Sequence, residues 1–375
     1  MITVVFLVVT TFGASCNAQV QTADNKDNQV SAQNNVGGII PTNNMNTPRS
    51  GHTATLLPDG RVLIVGGMER NGVFLNSAEI YNPATGNFTA SVKNMNVWRG
   101  GHNAVLLPNG KVLIAGGFGD GGALASAEIY NPADGTFSPT GNMNARRGDF
   151  SATLLPNGKV LIAGSGSDEA GLLASAELYD VATGKFTPTG KMSVGRAQHT
   201  ATLLPNGRVL IAGGGSIRNV EASAEIYNPA DGTFSKTAAM SVSRYKHAAI
   251  LLPDGNVLIA GGLDKGADWS SRRDSAEICN PSKGVFSSVG NMKTARFKIS
   301  DAVALLPNGT VLIAGGGEQT ESYNPTAKTF ASVAGLMDAT RYYSTATVLS
   351  DGKVLVTGGY DRRAVSSAKS WIYKT

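Results

Sequence analysis

The chain has 375 residues, a formal charge of +5 and only 16% charged residues, and its basic residues are spread along the sequence. Because no run of Lys or Arg could follow a phosphate backbone, we expect no nucleic-acid binding. Glycine is abundant, at 46 residues. That composition is typical of many short strands joined by tight turns, and it argues against helices or disorder.

Residues 1–18 are predicted to be a signal peptide. The apolar run Val4–Phe12 is too short to span a bilayer as a helix, and small residues follow it. Two cleavage sites remain open. Gly13-Ala14-Ser15-Cys16 resembles a bacterial lipobox, which would leave Cys16 lipidated, whereas cleavage after Ala18 would release a soluble protein. Either site predicts a secreted, periplasmic or cell-surface protein, with membrane contact only through a lipid on Cys16.

Residues 19–36 are predicted to be a flexible polar tether, since they are rich in Gln, Asn, Asp, Ser and Ala. Residues 37–375 are predicted to form one folded domain, which we expect to be a monomer. Cys279 is the single cysteine of that domain, so we expect no disulfide within it.

One pattern recurs seven times in this domain. In repeat one, a predicted strand Thr53–Leu57 precedes the turn Pro58-Asp59-Gly60, where Pro presets φ and Gly accepts a positive φ. The continuously apolar segment Val62–Val65 predicts a strand buried on both faces. A third strand over Ser77–Tyr81 and a short fourth strand around Phe88 complete the unit. Each repeat begins at a marker methionine, 45 to 52 residues from the next: Met45, Met95, Met143, Met192, Met240, Met292 and Met337.

A four-stranded unit of about fifty residues with paired glycines resembles the kelch repeat. The resemblance implies an all-β, seven-bladed β-propeller with four-stranded blades. Repeat seven ends at its third strand, Trp371-Ile372-Tyr373, whereas Gly37–Met45 aligns with the fourth-strand segment Gly135–Met143. We therefore predict that Gly38–Thr42 pairs with Ser370–Lys374 and closes the ring, which would protect two sheet edges.

Three polar residue types recur at fixed positions. We expect the recurring Arg and Glu to form a partly buried Arg–carboxylate pair, or a hydrogen-bond bracket, that belongs to the scaffold. The histidines share one repeat position, but separate blades would hold them too far apart for a shared metal, so we expect no metal or other cofactor. Trp371 replaces the Glu in repeat seven. The arginines are Arg49, Arg99, Arg147, Arg196, Arg244, Arg296 and Arg341, the glutamates are Glu79, Glu128, Glu177, Glu225, Glu277 and Glu321, and the histidines are His52, His102, His199 and His247.

The repeats are also similar to the propeller of galactose oxidase and related copper-radical enzymes. In that family a Tyr-His pair follows a repeat Arg. The nearest match here is Arg341-Tyr342-Tyr343-Ser344-Thr345, in which Tyr343 falls on the family's tyrosine and Ser344 on its copper histidine. The resemblance therefore implies the fold without the copper-site residues, and fold alone assigns no activity.

Variation among the repeats indicates which face binds a ligand. The second-to-third loops and the connections between blades share one face and vary in length and content, unlike the turns on the other face. Aromatic platforms with nearby cations suit a sugar or an acidic glycan. We predict a ligand site there formed by Trp98, Tyr245, Lys246, Trp269, Arg272, Phe297, Lys298, Tyr342, Tyr343, Tyr360 and Arg362.

These features predict an extracellular or surface-anchored binding module for a carbohydrate or protein partner. One alternative is that the aromatic residues only plug the channel mouth. Another is a sugar-acting enzyme of oxidase or epimerase type, for which Asp149, Lys246, Lys298 and Asp301 are the first candidates for titratable groups.

Overall fold

The structure, a computed structural model, describes residues 37–374 apart from 168–170, 217 and 266–267. The predicted signal peptide, Cys16 and the predicted tether lie outside the described residues. The described part is built from short strands, with 3₁₀ turns at Arg70–Gly72 and Trp269–Ser271. None of its helices is long and apolar enough to cross a membrane.

The strands follow the predicted repeat pattern, with ends that differ by one or two residues. In chain order they are β1 Gly38–Pro41, β2 Thr53–Leu56, β3 Val62–Val65, β4 Ala78–Asn82, β5 Asn87–Ala90, β6 Asn103–Leu106, β7 Val112–Ala115, β8 Phe118–Gly119, β9 Gly122–Ala123, β10 Ala127–Asn131, β11 Thr136–Pro139, β12 Ser151–Leu154, β13 Val160–Ser167, β14 Gly171–Asp180, β15 Lys185–Lys191, β16 Thr200–Leu203, β17 Val209–Ala212, β18 Ala224–Asn228, β19 Thr233–Lys236, β20 Ala248–Leu251, β21 Val257–Ala260, β22 Arg273–Asn280, β23 Val285–Arg296, β24 Val303–Leu305, β25 Val311–Ile313, β26 Gln319–Asn324, β27 Thr329–Leu336, β28 Thr345–Val348, β29 Val354–Thr357 and β30 Ser370–Lys374.

Repeats one to five each form an antiparallel four-stranded blade. The strand orders are β2-β3-β4-β5, β6-β7-β10-β11, β12-β13-β14-β15, β16-β17-β18-β19 and β20-β21-β22-β23, and β8 pairs with β9 as a separate hairpin. Repeats six and seven share one sheet of eight strands, ordered β24-β25-β26-β27-β1-β30-β29-β28.

Strand β1 lies at the centre of the eight-stranded sheet. It pairs antiparallel with β30 along its whole length, from Gly38 opposite Lys374 to Pro41 opposite Trp371. It meets β27 at a single parallel pair, Gly38 opposite Ala334. The side chain of Ile39 points into a core that includes Trp371, whereas Ile40 is exposed.

The hydrophobic core lies between neighbouring sheets. The second strand of each repeat is buried on both faces, as β3 shows with four residues at 0% exposure. Leu63 and Val65 of β3 pack with Val112 and Ile114 of β7 in one cluster, and equivalent clusters follow along the chain. Apolar burial between successive sheets therefore holds the repeats together.

The paired glycines allow this close approach. A Cβ on Gly66 would lie 2.5 Å from the carbonyl oxygen of Arg99 and 2.9 Å from the His102 ring, and φ at Gly66 is +59°. The next residue, Gly67, donates its N–H to that same Arg99 carbonyl, 2.9 Å away. This hydrogen bond between successive repeats recurs as Gly117 to Arg147, Ser165 to Arg196, Gly214 to Arg244, Gly262 to Arg296, Gly316 to Arg341 and Gly359 to Arg49.

The predicted Arg–Glu pairs are confirmed in six repeats. Arg49 donates from Nη2 to Glu79 Oε1 at 2.9 Å and from Nη1 to the carbonyl of Gly66 at 2.8 Å, and both charged side chains are buried. Glu79 also accepts from the backbone N–H groups of Asn46 and Thr47. The equivalent pairs are Arg99–Glu128, Arg147–Glu177, Arg196–Glu225, Arg244–Glu277 and Arg296–Glu321.

Repeat seven departs from this scheme because Trp371 replaces the Glu. The Arg341 guanidinium lies over the Trp371 ring, 5.7 Å from its centroid, and donates to Asp338 at 2.7 Å. A cation–π contact and a partly exposed carboxylate thus replace the buried pair.

Candidate functional site at the channel mouth

A ring of backbone groups surrounds one opening. The residue two positions after each repeat Arg has a positive φ between 53° and 60°, at Gly51, Gly101, Asp149, Gln198, Lys246, Lys298 and Tyr343. We call these residues the belt. Their backbones form hydrogen bonds from one repeat to the next: Gly101 to Gly51, Gln198 to Asp149, Lys246 to Gln198, Lys298 to Lys246, Tyr343 to Lys298 and Gly51 to Tyr343.

The belt is conformationally strained. Five of its residues have a side chain and still adopt the left-handed region, which costs about 1–3 kcal/mol each when the surrounding structure imposes it. Such strain clusters at ligand sites, where it fixes side chains in one orientation. The strained belt therefore makes the opening the candidate functional site.

A cavity of about 430 Å³ lies within the belt. Gly51, Gly101, Asp149, Gln198 and Tyr343 line its rim. Because two neighbouring belt positions are glycine, that side of the rim has no belt side chains. Hydroxyl, amide and imidazole groups line the wall, from Thr53, Asn103, Ser151, Thr200, Thr345, Thr347, His52, His102 and His199. The cavity is thus polar and within the size range of small-molecule sites.

An aromatic cluster covers the opposite side of the rim. Phe297 and Tyr342 are buried with their ring centroids 5.0 Å apart. Trp269 packs edge-on against both, at 5.2 and 5.8 Å, and keeps 45% of its surface exposed. Tyr245 and Leu263 complete the buried group, and Tyr360 packs against it. The structure therefore brings together these predicted aromatic residues from repeats five, six and seven.

Lys298 lies inside this aromatic cluster. Its side chain is buried, and Nζ donates to the hydroxyl of Tyr360. Among the residues that the structure describes, no carboxylate forms a salt bridge with it. Nζ is 4.6 to 5.7 Å from the centroids of five rings, Trp269, Tyr360, Phe297, Tyr343 and Tyr342. Burial, followed by the neighbouring Lys246 charge, lowers the pKa of Lys298 to about 7.

The other titratable belt residues also have shifted pKa values. Burial lowers the pKa of Lys246, whose Nζ lies 4.6 Å from the centroid of the Tyr245 ring, although Asp149 opposes the shift. Burial raises the pKa of Asp149. Burial and then the Asp149 charge raise the pKa of Tyr343, whose hydroxyl accepts from Gln198 at 3.3 Å. Perturbed groups that converge on one cavity are typical of functional sites.

A two-residue insertion places Asp301 in the cavity wall. From the repeat Arg to the turn Pro there are eleven positions in repeat six, Arg296 to Pro307, but nine in the other repeats that keep that Pro. The extra residues, Ser300 and Asp301, form a turn in which Ala302 donates to the carbonyl of Ile299 at 3.1 Å. Asp301 lines the cavity, where desolvation by the surrounding residues raises the pKa of its carboxyl.

Three predicted ligand residues lie outside the aromatic cluster. Trp98 is 51% exposed and forms no ring contact among the described residues. Arg362 is exposed, and Arg272 is half-buried, where its backbone bridges to Leu263. The ligand-binding role of all eleven residues stays a prediction. Gln198 lies on the rim, yet the sequence prediction omitted it.

The four histidines link neighbouring repeats. His102 Nε2 is 3.0 Å from Thr53 Oγ1, and His52 Nε2 is 2.9 Å from Thr357 Oγ1. His199 and His247 form the same kind of bond with hydroxyls of the preceding repeat. Burial lowers the pKa of His52, His199 and His247 to about 3, so these imidazoles are neutral at pH 7.

The expected lack of the copper-site residues of galactose oxidase-type enzymes stays a prediction, and the contacts of Tyr343 bear on it. Copper(II) favours imidazole in a tetragonal N,O site. Tyr343 instead contacts Gln198, Tyr360 and lysine amines, and the adjacent Ser344 is buried. In the described part of the chain, no group of three or more His, Cys, Asp or Glu side chains is placed to hold a metal ion.

The sheets form a propeller-like arrangement of four-stranded blades, and two of the repeats match a known motif. The Kelch motif model matches residues 48–90 and 99–144. A solved structure described as a novel fungal alcohol oxidase of the AA5 family, in complex with copper, is similar over 91% of this chain and 76% of its own, with a TM-score of 0.72 and 17% identity. At that identity the likeness concerns the fold. No curated protein matches this chain.

Proposed function

We propose that this protein is a seven-bladed propeller closed by β1, which acts as a binding module with its ligand at the channel mouth. Two features support the count of seven. The belt has seven positions, and the hydrogen bond from a repeat glycine or serine to the next repeat Arg occurs seven times, ending with Gly359 to Arg49. On this count the eight-stranded sheet is two blades joined by the single pair of Gly38 with Ala334.

The proposed ligand is a carbohydrate that bears acidic groups. The observation that carries this proposal is the half-exposed Trp269 beside Lys298. Lys246 lies over the Tyr245 ring of the same cluster, and neither lysine forms a salt bridge among the described residues. A sugar ring can stack on the exposed indole face, and an anionic substituent would supply the missing negative charge. The polar cavity wall adds hydroxyl groups that can hydrogen-bond sugar hydroxyls.

Glycan-array binding with two matched variants tests this proposal. We expect Trp269→Ala to weaken binding of acidic glycans by about tenfold or more, because an aromatic anchor at a binding site contributes about 2 kcal/mol. Val285→Ala removes an apolar side chain of similar exposure that is not among the predicted ligand residues, and it should leave binding unchanged. Equal loss in both variants, or no binding to any glycan, would contradict the proposal.

A protein partner on the same face remains part of the proposal, because Trp269, Arg272 and Arg362 would also suit a protein interface. Pull-down from an envelope fraction with the Trp269→Ala protein as control distinguishes a protein ligand from a carbohydrate ligand.

We further propose that the protein is exported, with Cys16 lipidated or removed with the leader. Mass spectrometry of the mature N-terminus distinguishes these two outcomes.

The second candidate function is a sugar-acting enzyme of oxidase or epimerase type. Asp149 and Tyr343 line the cavity, and the charges of Lys246 and Lys298 act on Asp149. This grouping favours it, since perturbed carboxyl and amine groups are suited to general acid–base chemistry. Turnover of a sugar panel that is lost in Asp149→Asn would support this function over simple binding.

A further inference from the structure

A buried lysine amine without a carboxylate partner is unusual. Lys298 is 7% exposed, and the described structure gives its Nζ one hydrogen-bond partner, the hydroxyl of Tyr360. A buried cation with a structural role is usually paired with a carboxylate. The six buried repeat arginines are paired in this way, each with a glutamate. Lys298 therefore has a role that the repeat architecture does not explain.

The surroundings of Lys298 favour the neutral, nucleophilic form of its amine. An amine becomes a nucleophile at neutral pH when it is desolvated in an apolar pocket or placed next to a second cation. Both conditions hold, because aromatic rings enclose Nζ and Lys246 is the neighbouring belt residue. The rings also stabilise the ammonium form, which opposes desolvation.

The amine is also close to the cavity. Nζ lies 5.3 Å from the centroid of the Tyr343 ring, and Tyr343 lines the cavity of about 430 Å³. The belt fixes the Lys298 backbone through hydrogen bonds to Lys246 on one side and Tyr343 on the other. Four rotatable side-chain bonds then let the amine reach a small molecule on the rim.

We propose that Lys298 is a nucleophilic amine that condenses with an aldehyde to form an imine. The Nζ lone pair attacks the carbonyl carbon. A proton then moves from the nitrogen to the carbonyl oxygen, which gives a carbinolamine. The Tyr360 hydroxyl, already hydrogen-bonded to Nζ, protonates the departing hydroxyl, so water leaves. The protonated imine then returns a proton to Tyr360. The sum is amine plus aldehyde giving imine plus water, with no oxidant or reductant.

The charged and titratable groups around Lys298 are consistent with this chemistry. Burial raises the pKa values of Tyr360 and Tyr343, so both keep their protons at neutral pH. Burial, the largest cause, and the Lys246 charge both disfavour the charged form of Lys298, and together they outweigh Asp149, so its pKa falls to about 7. Tyr342 also faces Nζ from repeat seven.

Reductive labelling tests the proposal on the full chain. The protein is incubated with propanal and sodium cyanoborohydride at pH 7, and tryptic peptides are searched for the mass of an N-propyl group. We expect Lys298 to be labelled about tenfold faster than the exposed Lys293 of the same repeat. Labelling of Lys298 should rise with pH to a plateau with a midpoint near 7.

Peptide mapping of the unaltered protein needs no variant, so a folding defect cannot obscure the result. Lys298→Arg keeps the positive charge and should abolish the fast label while the circular dichroism spectrum is retained. Labelling spread evenly over exposed lysines, or a fast label that persists in Lys298→Arg, would overturn the proposal. The measurement does not involve a glycan, so its outcome is distinct from that of the glycan array.

Discussion

Replacing Glu128 with Gln should destabilise the domain by about 3–5 kcal/mol, because it leaves the buried Arg99 guanidinium without a counter-charge. The side chains of Arg99 and Glu128 are 0% and 2% exposed. Glu128 also accepts from the backbone N–H groups of Asn96 and Val97, and an amide can replace only part of that acceptor capacity. The loss can be measured as a shift of the urea midpoint at constant m-value.

Asp338→Asn provides the matched control. It makes the same carboxylate-to-amide change at the pair that replaces the bracket in repeat seven, where Asp338 is 31% exposed. Solvent can compensate there, so we expect a loss of about 1 kcal/mol or less. If both variants lost a similarly small free energy of unfolding, the Arg99–Glu128 pair would not be buried away from water.

The repeat scaffold was predictable from the sequence because its rules act locally and recur. Continuous apolar runs predict strands such as Val62–Val65, and a Pro-x-Gly turn predicts the first hairpin of repeats one to six. The Arg–Glu pairs were also predictable. An arginine and a glutamate at fixed repeat positions occupy fixed places in a repeated structure, and Trp371 marked the one exception.

The belt was harder to predict. Lysine, glutamine and tyrosine do not favour a positive φ, so Lys246, Gln198 and Tyr343 give no sign of it individually. The signal lay in comparing repeats, because Gly51 and Gly101 occupy the same position. The Asp301 insertion had a similar signal in the longer spacing from Arg296 to Pro307.

The aromatic cluster required the tertiary structure. Trp269 comes from the long loop of repeat five, Phe297 from repeat six and Tyr342 from repeat seven, and no local pattern gives the distances among them. Trp98 was predicted from the sequence to belong to the same ligand site. It is 51% exposed and has no ring contact among the described residues, and its ligand-binding role stays a prediction.

The proposed ring closure makes a prediction about two adjacent isoleucines of β1. Ile39 is 3% exposed and packs with Val333 of repeat six and with Met337 and Trp371 of repeat seven. Ile39→Ala should therefore lower the free energy of unfolding by about 2–5 kcal/mol through lost burial and a cavity. Ile40 is 44% exposed, so Ile40→Ala should change it by less than about 0.5 kcal/mol.

Deleting residues 37–44 should have a larger effect than either substitution. It would leave unpaired the backbone edge of β30 that β1 now covers from Gly38 to Pro41. The belt bond from Gly51 to Tyr343 and the bond from Gly359 to Arg49 would then hold repeats one and seven together without the strand between β27 and β30. Thermal melting compares the three variants. An unchanged melting temperature in the deletion would mean that those bonds alone close the ring and that β1 is dispensable.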